Sequence, residues 1–361
     1  MRKSNPRNLF SKFGFFANIF FAGLLLLVYL AVRVPADSFW PAAFFGFLYP
    51  YLLLINLLFA VVYGLLKSKK LLLSLAVLLL GYQHFFNFIQ PLPHLGSEGQ
   101  GLKVLTYNVH YFTMDNGRNQ SNRSKILEFL KTENADIICL QESRVFKTGK
   151  FSPDKIMETL PGIKHLHRVH RGSNDGPMTL SKFPITRMGE IRFEKSANMV
   201  LFSDIVIRSG DTIRVYNCHF QSYRITPEDY SLTDPDKSGT KEQQLREARI
   251  ISKKMIPAFT LRARQARTVA AHIKKCSYPV IVCGDFNDTP HSYAYHVLSK
   301  HLKDSFAEAG FGISNTYSGF LPLFRIDYIM HSNRFKAISY QCEKVKLSDH
   351  FPVMAVLEWL K

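Results

Sequence analysis

Acidic side chains are nearly absent from the first hundred positions, which contain only Asp37 and Glu98 against eight Lys and Arg. Three long runs in this region carry no charge at all, which excludes the surface of an ordinary soluble domain. The remaining 261 residues hold 38 of the 46 basic and 26 of the 28 acidic side chains, and they can enclose a complete hydrophobic core. Because 47% of the chain is hydrophobic and 20% is charged, a disordered chain is also excluded.

The sequence has no Cys-x-x-Cys pair and no Cys/His spacing typical of a zinc site. Its cysteines are odd in number and provide no disulfide framework: Cys139, Cys218, Cys276, Cys283 and Cys342. Cys139, Cys218 and Cys283 lie within apolar runs, where a small hydrophobic side chain packs well. We expect the cysteines to be core residues.

The uncharged runs cover residues 13–32, 39–66 and 71–89, with Pro50 inside the second. A helix of about 20 apolar residues crosses a hydrocarbon core of about 30 Å, so each run is long enough to span a membrane. We therefore predict a membrane anchor of about three transmembrane helices in residues 1–90, followed by a linker rich in Pro and Gly at 91–102. The alternative is two spans, with one run forming a buried core helix or a cleaved signal sequence.

Basic residues flank these runs unequally. Four lie in the N-terminal tail and three, Lys67, Lys69 and Lys70, lie between the second and third runs, whereas the first loop has only Arg33 beside Asp37. Because positively charged loops stay in the cytoplasm, three crossings place everything after residue 90 on the opposite side. The sequence therefore predicts a multi-pass membrane protein, suited to a bacterial inner membrane, with a cytoplasmic N-terminus and an extracytoplasmic globular domain.

Short apolar runs alternate with helical or loop segments from residue 103 onward. The runs at 103–110, 135–143, 212–220, 279–287, 325–330 and 353–360 have the composition and length of strands. Helical spacing occurs at 124–132 and 261–275, and the polar residues 224–245 are typical of an extended loop that leads into a helix. This interleaving indicates an α/β domain over residues 103–361.

Polar residues with catalytic potential follow these runs. In chain order they are Asn108, Glu142, His219 with Ser222, Asp285 with Asn287, Asp327, and Asp349 with His350. Each has a structural alternative, because an asparagine can end a strand, an acid can face solvent and a lone histidine is usually a satisfied polar residue. A buried carboxylate at Asp327 needs a partner, however, and His350 would supply one. Six such occurrences in one domain indicate a common site.

This ordered series resembles the endonuclease/exonuclease/phosphatase superfamily, which includes deoxyribonuclease I, abasic-site endonucleases, neutral sphingomyelinases, inositol-polyphosphate 5-phosphatases and deadenylases. The resemblance extends from residue 103 to about residue 358 and is most specific in Gly-Asp-Phe-Asn at 284–287 and Ser-Asp-His-Phe-Pro-Val at 348–353. Segment 176–185 is similar to a strand block of the family, with Met178 and Thr179 replacing its usual small apolar pair. The resemblance implies a four-layered α/β sandwich, two central β-sheets flanked by helices, preceded here by the transmembrane helical region.

The resemblance also implies a divalent metal ion. Carboxylate and amide oxygens without thiol ligands suit a hard cation, so Mg²⁺ or Mn²⁺ is the expected cofactor. The expected metal ligands are Glu142, Asn108 and Asp349.

The remaining members of the series are expected to carry out the catalysis. Asp285 would activate the attacking water, and His350, held by Asp327, would stabilise the charge that develops at phosphorus. Asn287 would fix both the base and the substrate phosphate. His219 would contact the phosphate or protonate the leaving group, and Ser222 would contact the phosphate.

Two substrate classes remain open. The excess of basic groups favours cleavage of phosphodiesters in nucleic acid, which is the first expectation. A histidine at position 219 is similar to deoxyribonuclease I, sphingomyelinases and deadenylases, whereas abasic-site endonucleases have tyrosine there, which disfavours a DNA-repair role. The tether to a lipid bilayer favours the alternative, a phosphodiesterase or phosphatase acting on lipid headgroups. A catalytically inactive phosphate-binding module is the third and least favoured interpretation.

Overall fold

The computed structural model describes residues 6–93, 101–112, 121–149, 151–169, 175–208, 210–223, 240–318 and 324–360. The apolar sequence before residue 90 forms helices α1 to α4, in chain order Pro6–Ala31, Pro41–Leu65, Leu71–Leu80 and Tyr82–Phe88. A helix satisfies its backbone hydrogen bonds internally, as a segment in lipid must. Residues Lys12–Ala31 of α1 and the whole of α2 are each long and apolar enough to cross a membrane.

The third predicted span is not one straight helix. Helices α3 and α4 meet at Gly81 with a bend of 67°, and they add a third span only if the bent pair crosses as a unit. Glycine is a poor helix former, which explains the position of the break. The anchor therefore has two candidate spans, or up to three with the bent pair, against about three predicted.

The globular domain contains two mixed sheets of six strands each, with the orders β11-β12-β1-β2-β4-β3 and β5-β6-β7-β8-β10-β9. Strands β1 to β12 are, in chain order, Leu102–Asn108, Ile137–Arg144, His165–Arg168, Asp175–Ser181, Ile185–Arg192, Met199–Val206, Thr212–His219, Val280–Asp285, Lys303–Asp304, Asp327–His331, Phe335–Cys342 and Val353–Trp359. The helices α5 to α9 are Ser121–Glu133, Pro153–Thr159, Lys241–Lys274, Tyr293–Ser299 and Ser305–Ala309.

Apolar side chains cover both faces of the central strands. One cluster lies between the sheets and joins Val104 and Ile137 of the first sheet to Val215 and Ile281 of the second. Two further clusters pack α5 and α6 on the outer face of the first sheet, and α7 and α8 on that of the second. Burial on both faces requires nearly continuous apolar strands, and every residue of β8 is buried. The predicted four-layered α/β sandwich is confirmed.

The parallel strand pairs determine where polar side chains collect. β1 pairs in parallel with β2, and β7 pairs in parallel with β8. The carboxyl ends of all four strands lie at one edge of the sandwich, where Asn108 of the first sheet donates a hydrogen bond to Asp285 of the second. The antiparallel strand β10 begins at this edge, with Asp327 opposite Asp285. We call it the catalytic edge.

Several elements differ from the sequence prediction. Strands β3, β5, β6, β9 and β11 are not predicted, partly because edge strands such as β5 are largely exposed and lack an apolar run. The predicted loop at 224–245 is wrong for residues 241–245, which begin α7, whereas 224–239 lie outside the described residues. Helix α7 is also longer than the predicted 261–275, because Pro257 inside it interrupts the sequence signal.

Three of the five cysteines are core residues as predicted, and two are not. Cys139, Cys218 and Cys283 are completely buried, and Cys276 and Cys342 are half-buried. All of them are free thiols.

The anchor packs directly against the globular domain. In the loop between α1 and α2, Asp37 pairs with Arg267 of α7 at 2.6 Å. The ring of Tyr49 in α2 stacks on His291, with ring centroids 3.5 Å apart. A Cβ atom at Gly46 would lie 2.4 Å from the carbonyl oxygen of His291, so only glycine permits this approach. These contacts join the two parts independently of the 91–102 segment, whose limits stay a prediction.

Candidate active site

Four predicted site residues from the two sheets meet at the catalytic edge. Asn108 at the end of β1 donates through Nδ2 to Glu142 Oε1 at 3.3 Å and to Asp285 Oδ2 at 3.1 Å. His219, the last residue of β7, places Nε2 3.4 Å from Glu142 Oε1 and 4.0 Å from Asp285 Oδ2. This Nε2 atom is buried and has no hydrogen-bond partner among the residues that the structure describes. It is therefore available to a ligand held between the carboxylates.

Asp285 is almost completely buried and heavily hydrogen-bonded. Its Oδ1 accepts from the Asn287 backbone N–H at 2.7 Å, and its Oδ2 accepts from the Asn287 side chain at 3.0 Å. Burial raises the pKa of Asp285 to about 6, against the opposing charge of His350. A base with a pKa near the working pH transfers protons efficiently.

The glycine before this acid is required by the sheet. Gly284 has φ of 133°, and a Cβ there would lie 2.0 Å from the carbonyl oxygen of Cys218 in the neighbouring strand β7. The Gly-Asp pair at 284–285 therefore combines close strand packing with a carboxylate at the strand end.

His350 lies between two carboxylates. Its Nδ1 is 2.9 Å from Asp327 Oδ2, and its Nε2 is 3.7 Å from Asp285 Oδ2. Burial alone would lower the pKa of His350, but the charges of Asp327 and Asp285 raise it well above its ordinary value. The two carboxylates therefore favour the charged form of the ring, and the hydrogen bond to Asp327 holds it in one orientation. Thr316 supports the pair, since its hydroxyl accepts from the Asp327 backbone N–H at 3.1 Å.

Two site residues have left-handed backbone conformations. Glu142 has φ of 51° and Asn287 has φ of 52°. Strand β2 has an irregular register between Leu140 and Ser143, so Glu142 lies in a bulge. Such conformations cost roughly 1–3 kcal/mol in a non-glycine residue and are concentrated at functional sites.

Among the predicted metal ligands, Glu142 fits a hard cation best. Its side chain is 21% exposed, so its carboxylate is open to the cleft at the catalytic edge. Asn108 directs its Nδ2, not its oxygen, toward Glu142 and Asp285, while its Oδ1 accepts from the His110 backbone N–H at 3.1 Å. The donor set of carboxylate oxygens fits Mg²⁺ or Mn²⁺, and Asn108 in this orientation positions the carboxylates.

A second group that could hold a cation consists of Asp285, Asp327 and His350, whose ligand atoms lie within 4.8 Å of one another. The histidine ring of this group is already engaged on both sides, because Nδ1 is hydrogen-bonded to Asp327 and Nε2 lies 3.7 Å from Asp285. Its geometry fits a proton-transfer cluster better than a metal cage.

Asp349 faces His110, which is not predicted from the sequence as a site residue. Its Oδ1 is 2.9 Å from His110 Nδ1 and accepts from the Ser348 hydroxyl at 3.1 Å. Although burial opposes the change, the hydrogen bond from His110 lowers the pKa of Asp349 to about 2. The position of His110, two residues after Asn108 at the end of β1, is the signal that would have identified it.

A buried amide network fastens the sheets together beneath the site. Gln141, next to Glu142, donates to Asn217 Oδ1 at 2.8 Å. Asn217, two residues before His219, donates to the carbonyl oxygen of Leu140 at 3.2 Å. Neither amide is predicted from the sequence to have a role, and the network joins the end of β2 to the end of β7.

Ser222 lies apart from the residues above. It lines a cavity of about 290 Å³ at the catalytic edge, together with Lys195, Lys254 and Tyr223. Within the described part of the chain, no contact joins it to Glu142, Asp285 or His350. Its contact with the phosphate stays a prediction.

Residues 105–350 match the model of the Endonuclease/Exonuclease/phosphatase family. Residues 8–88 match a separate model, a domain of unknown function. No curated protein matches the chain.

Solved structures are similar to the globular domain. The endonuclease/exonuclease/phosphatase from Beutenbergia cavernae DSM 12333 has a TM-score of 0.51 at 18% identity, covering 73% of this chain and 72% of that one. The catalytic domain of human Nocturnin, with a bound sulfate anion, has a TM-score of 0.52 at 16% identity, covering 73% of this chain and 96% of that one. At these identities the similarity establishes the fold.

Proposed function

The chain belongs to the endonuclease/exonuclease/phosphatase family, whose members are phosphoesterases, and from this premise we propose that it is a divalent-metal-dependent phosphoester hydrolase anchored in a membrane. The observation that carries the proposal is the convergence of Glu142 and Asp285, from strands of different sheets, with His350, from the segment before β12, at one edge. The convergence also disfavours an inactive binding module, because the proposed base Asp285, the proposed phosphate contact His350 and the open carboxylate of Glu142 lie together.

The residues at the catalytic edge support in-line hydrolysis by water. Asp285, held by Asn287 and Asn108, would take the proton of the attacking water. His350, fixed by Asp327, would donate a hydrogen bond to the non-bridging oxygen on which charge develops. His219, whose Nε2 makes no hydrogen bond to any residue that the structure describes, would contact the phosphate or protonate the departing oxygen.

Glu142 would hold the cation, with Asp349 and Asn108 as the other proposed members of the site. A bound Mg²⁺ or Mn²⁺ neutralises phosphate oxygens and stabilises the leaving oxyanion. The left-handed conformation of Glu142 supports this role, because it turns the carboxylate toward Asn108 and His219.

We propose that the anchor is multi-pass, with the N-terminus in the cytoplasm and the globular domain outside it. Lys67, Lys69 and Lys70 lie at the end of the helix bundle opposite Asp37, which contacts the globular domain. This arrangement supports three crossings of a membrane such as a bacterial inner membrane. The proposed substrates are phosphodiesters of nucleic acid or, alternatively, phosphoesters of lipid headgroups.

The decisive experiment uses the full chain in detergent or lipid. Hydrolysis of plasmid DNA, RNA, sphingomyelin, a phosphoinositide and soluble bis(p-nitrophenyl) phosphate is measured in parallel, with Mg²⁺ or Mn²⁺ and with EDTA. We expect hydrolysis of at least the soluble diester, its loss in EDTA and its recovery on addition of the metal. Activity that resists chelation would contradict the metal assignment, and inactivity toward every substrate would contradict the proposed function.

A further inference from the structure

The direction of α2 relative to the sheets shows which side of the domain faces the anchor. Asp37, just before α2, pairs with Arg267, whereas Phe44 and Phe47 of α2 contact Phe259, eight residues earlier in α7. Helices α2 and α7 therefore run in opposite directions. Helix α7 ends at Lys274, shortly before β8 begins at Val280, so its C-terminal end lies at the edge opposite the catalytic edge. As α2 proceeds, it moves toward the catalytic edge.

Two hydrogen bonds show which residues of α7 lie beside the catalytic edge. Gln221, two residues after β7, accepts through its carbonyl oxygen from Arg262 at 2.7 Å and donates its backbone N–H to Gln265 at 2.8 Å. The strand ends are therefore level with residues 262–265 of α7. Since Phe44 already contacts Phe259, α2 passes the strand ends near its own beginning.

The next turn of α2 lies beside the site itself. The ring of Phe47 lies 5.2 Å from that of Phe324, three residues before Asp327, and 6.3 Å from that of Tyr223, four residues after His219. From Leu48 to Leu65 the helix continues for about 27 Å at 1.5 Å per residue. Its outward side chains are large, apolar and exposed, as lipid-facing residues are: Leu48, Tyr51, Leu54, Leu57, Leu58, Val61, Val62 and Leu65.

The last helix of the anchor, α4, also contacts the domain near the catalytic edge. The carbonyl oxygen of Asn87 in α4 accepts from Arg325, two residues before Asp327, at 2.8 Å. After α4, Gln90 and Gly312 exchange two backbone hydrogen bonds. Strand β1 begins at Leu102, at the edge opposite the catalytic edge. The helices of the anchor therefore leave the domain at the catalytic edge.

Close packing keeps this orientation fixed. Gly46 and Tyr49 lie against His291, in the segment that follows Asp285, and Arg267 holds Asp37 by two hydrogen bonds of 2.9 and 2.6 Å. A hinge at this junction would have to break an ion pair and a stacked aromatic pair together.

We infer that the catalytic edge faces the bilayer in which the anchor lies, and that the substrate is a phosphoester in the headgroup of a membrane lipid. The inference rests on the proposed hydrolase function. The cavity lined by Lys195, Lys254 and Ser222 at this edge offers positive charge to an anionic headgroup. In the reaction one water oxygen bonds to phosphorus, the ester P–O bond breaks, the proton taken by Asp285 is released, and the departing alkoxide is protonated to an alcohol.

The orientation of the domain relative to the bilayer is tested with two variants, each carrying a single fluorophore at a different end of the second sheet. Ala197, in the hairpin before β6, is exposed at the catalytic edge, and Ser277, between α7 and β8, is exposed at the opposite edge. Each is replaced by cysteine in the full chain carrying Cys276→Ser and Cys342→Ser, labelled, and reconstituted in vesicles with nitroxide-headgroup lipid. We expect loss of fluorescence for Ala197→Cys and little loss for Ser277→Cys. Equal quenching, or stronger quenching at position 277, would overturn the orientation.

The substrate class is tested on the same proteoliposomes. Vesicles of phosphatidylethanolamine, phosphatidylglycerol and a phosphoinositide are offered beside plasmid DNA, RNA and soluble bis(p-nitrophenyl) phosphate, with Asp285→Asn as the inactive control. Release of phosphate or phosphorylated headgroup from a lipid, with intact nucleic acid, supports the inference. Cleavage of nucleic acid or of the soluble diester without lipid hydrolysis overturns the lipid assignment but leaves the hydrolase standing. Inactivity toward all of them overturns both.

Discussion

The carboxylate of Asp285 is subject to two opposing influences. Burial favours its neutral form, while His350 and the amides of Asn108 and Asn287 favour the charged form. The result is a pKa of about 6, so the carboxylate is mostly ionised at neutral pH and still basic enough to accept a proton from water. The amides thus orient the proposed base as well as stabilise it.

Replacing Asp285 by Asn keeps the size of the side chain and removes the base. Loss of a general base typically costs about 10²–10⁴ in rate, so we expect kcat of Asp285→Asn to fall by that factor with KM little changed. The measurement is steady-state hydrolysis of bis(p-nitrophenyl) phosphate, with circular dichroism to verify folding. Glu358→Gln, at an exposed position of β12, is the matched control. A variant with wild-type kcat would remove Asp285 as the base.

At the scale of secondary structure elements, α2 packs closely against the segment after β8. Gly46 has no room for a side chain, whereas a Cβ at Gly64, in the same helix, would meet nothing within 4 Å. The two glycines therefore form a matched pair for testing whether this packing holds the anchor on the domain.

Leucine at position 46 should separate the two parts, because its Cβ would overlap the backbone of His291. Overpacking of this kind costs about 1–3 kcal/mol, so Gly46→Leu should lower the thermal unfolding midpoint of the full chain in detergent. Gly64→Leu should leave it nearly unchanged. Equal midpoints for the two variants would show that the junction contributes nothing to stability.

The ion pair between Asp37 and Arg267 predicts a pH dependence of the same junction. The hydrogen bond from Arg267 lowers the pKa of Asp37, so its contribution to stability is present above the ordinary pKa of aspartate, near 4, and is lost as the pH falls through the lower folded value. An ion pair near a surface contributes about 0.2–1 kcal/mol. We expect Asp37→Asn to unfold at a lower temperature than the wild type at pH 7 and at the same temperature in strong acid. A difference that persists in acid would assign the effect to packing.

For the whole molecule, the proposed topology determines which substrates the enzyme meets. A C-terminal fusion to alkaline phosphatase should be active and a fusion to green fluorescent protein dark, because the domain is proposed to lie outside the cytoplasm. Fusions after Lys70, in the loop between α2 and α3, should give the reverse pair of results. A fluorescent C-terminal fusion would place the domain in the cytoplasm and contradict the topology.

Burial and strand order made part of the site predictable. Asp327 lies inside an apolar run, and a buried acid requires a partner, so its pairing with His350 could be expected and is observed at 2.9 Å. The pairing of His110 with Asp349 was not predicted, because the two residues are 239 positions apart and Asp349 was assigned to the metal rather than to a histidine. Helix α7 was underestimated for a local reason, since proline and charge at its start conceal helical spacing.

The amino-acid sequence by itself determined which segments are apolar enough for a membrane, where most of the central strands lie, and which polar residues follow those strands, because these properties depend on composition and spacing over a few neighbours. Tertiary structure alone decided that Asp37 meets Arg267 and that Asn87 meets Arg325, pairs separated by 230 and 238 positions. Such contacts depend on how complete surfaces fit, and no local pattern encodes that fit. The fit of α2 on α7 and His291 is what brings the catalytic edge alongside the exposed apolar face of the anchor.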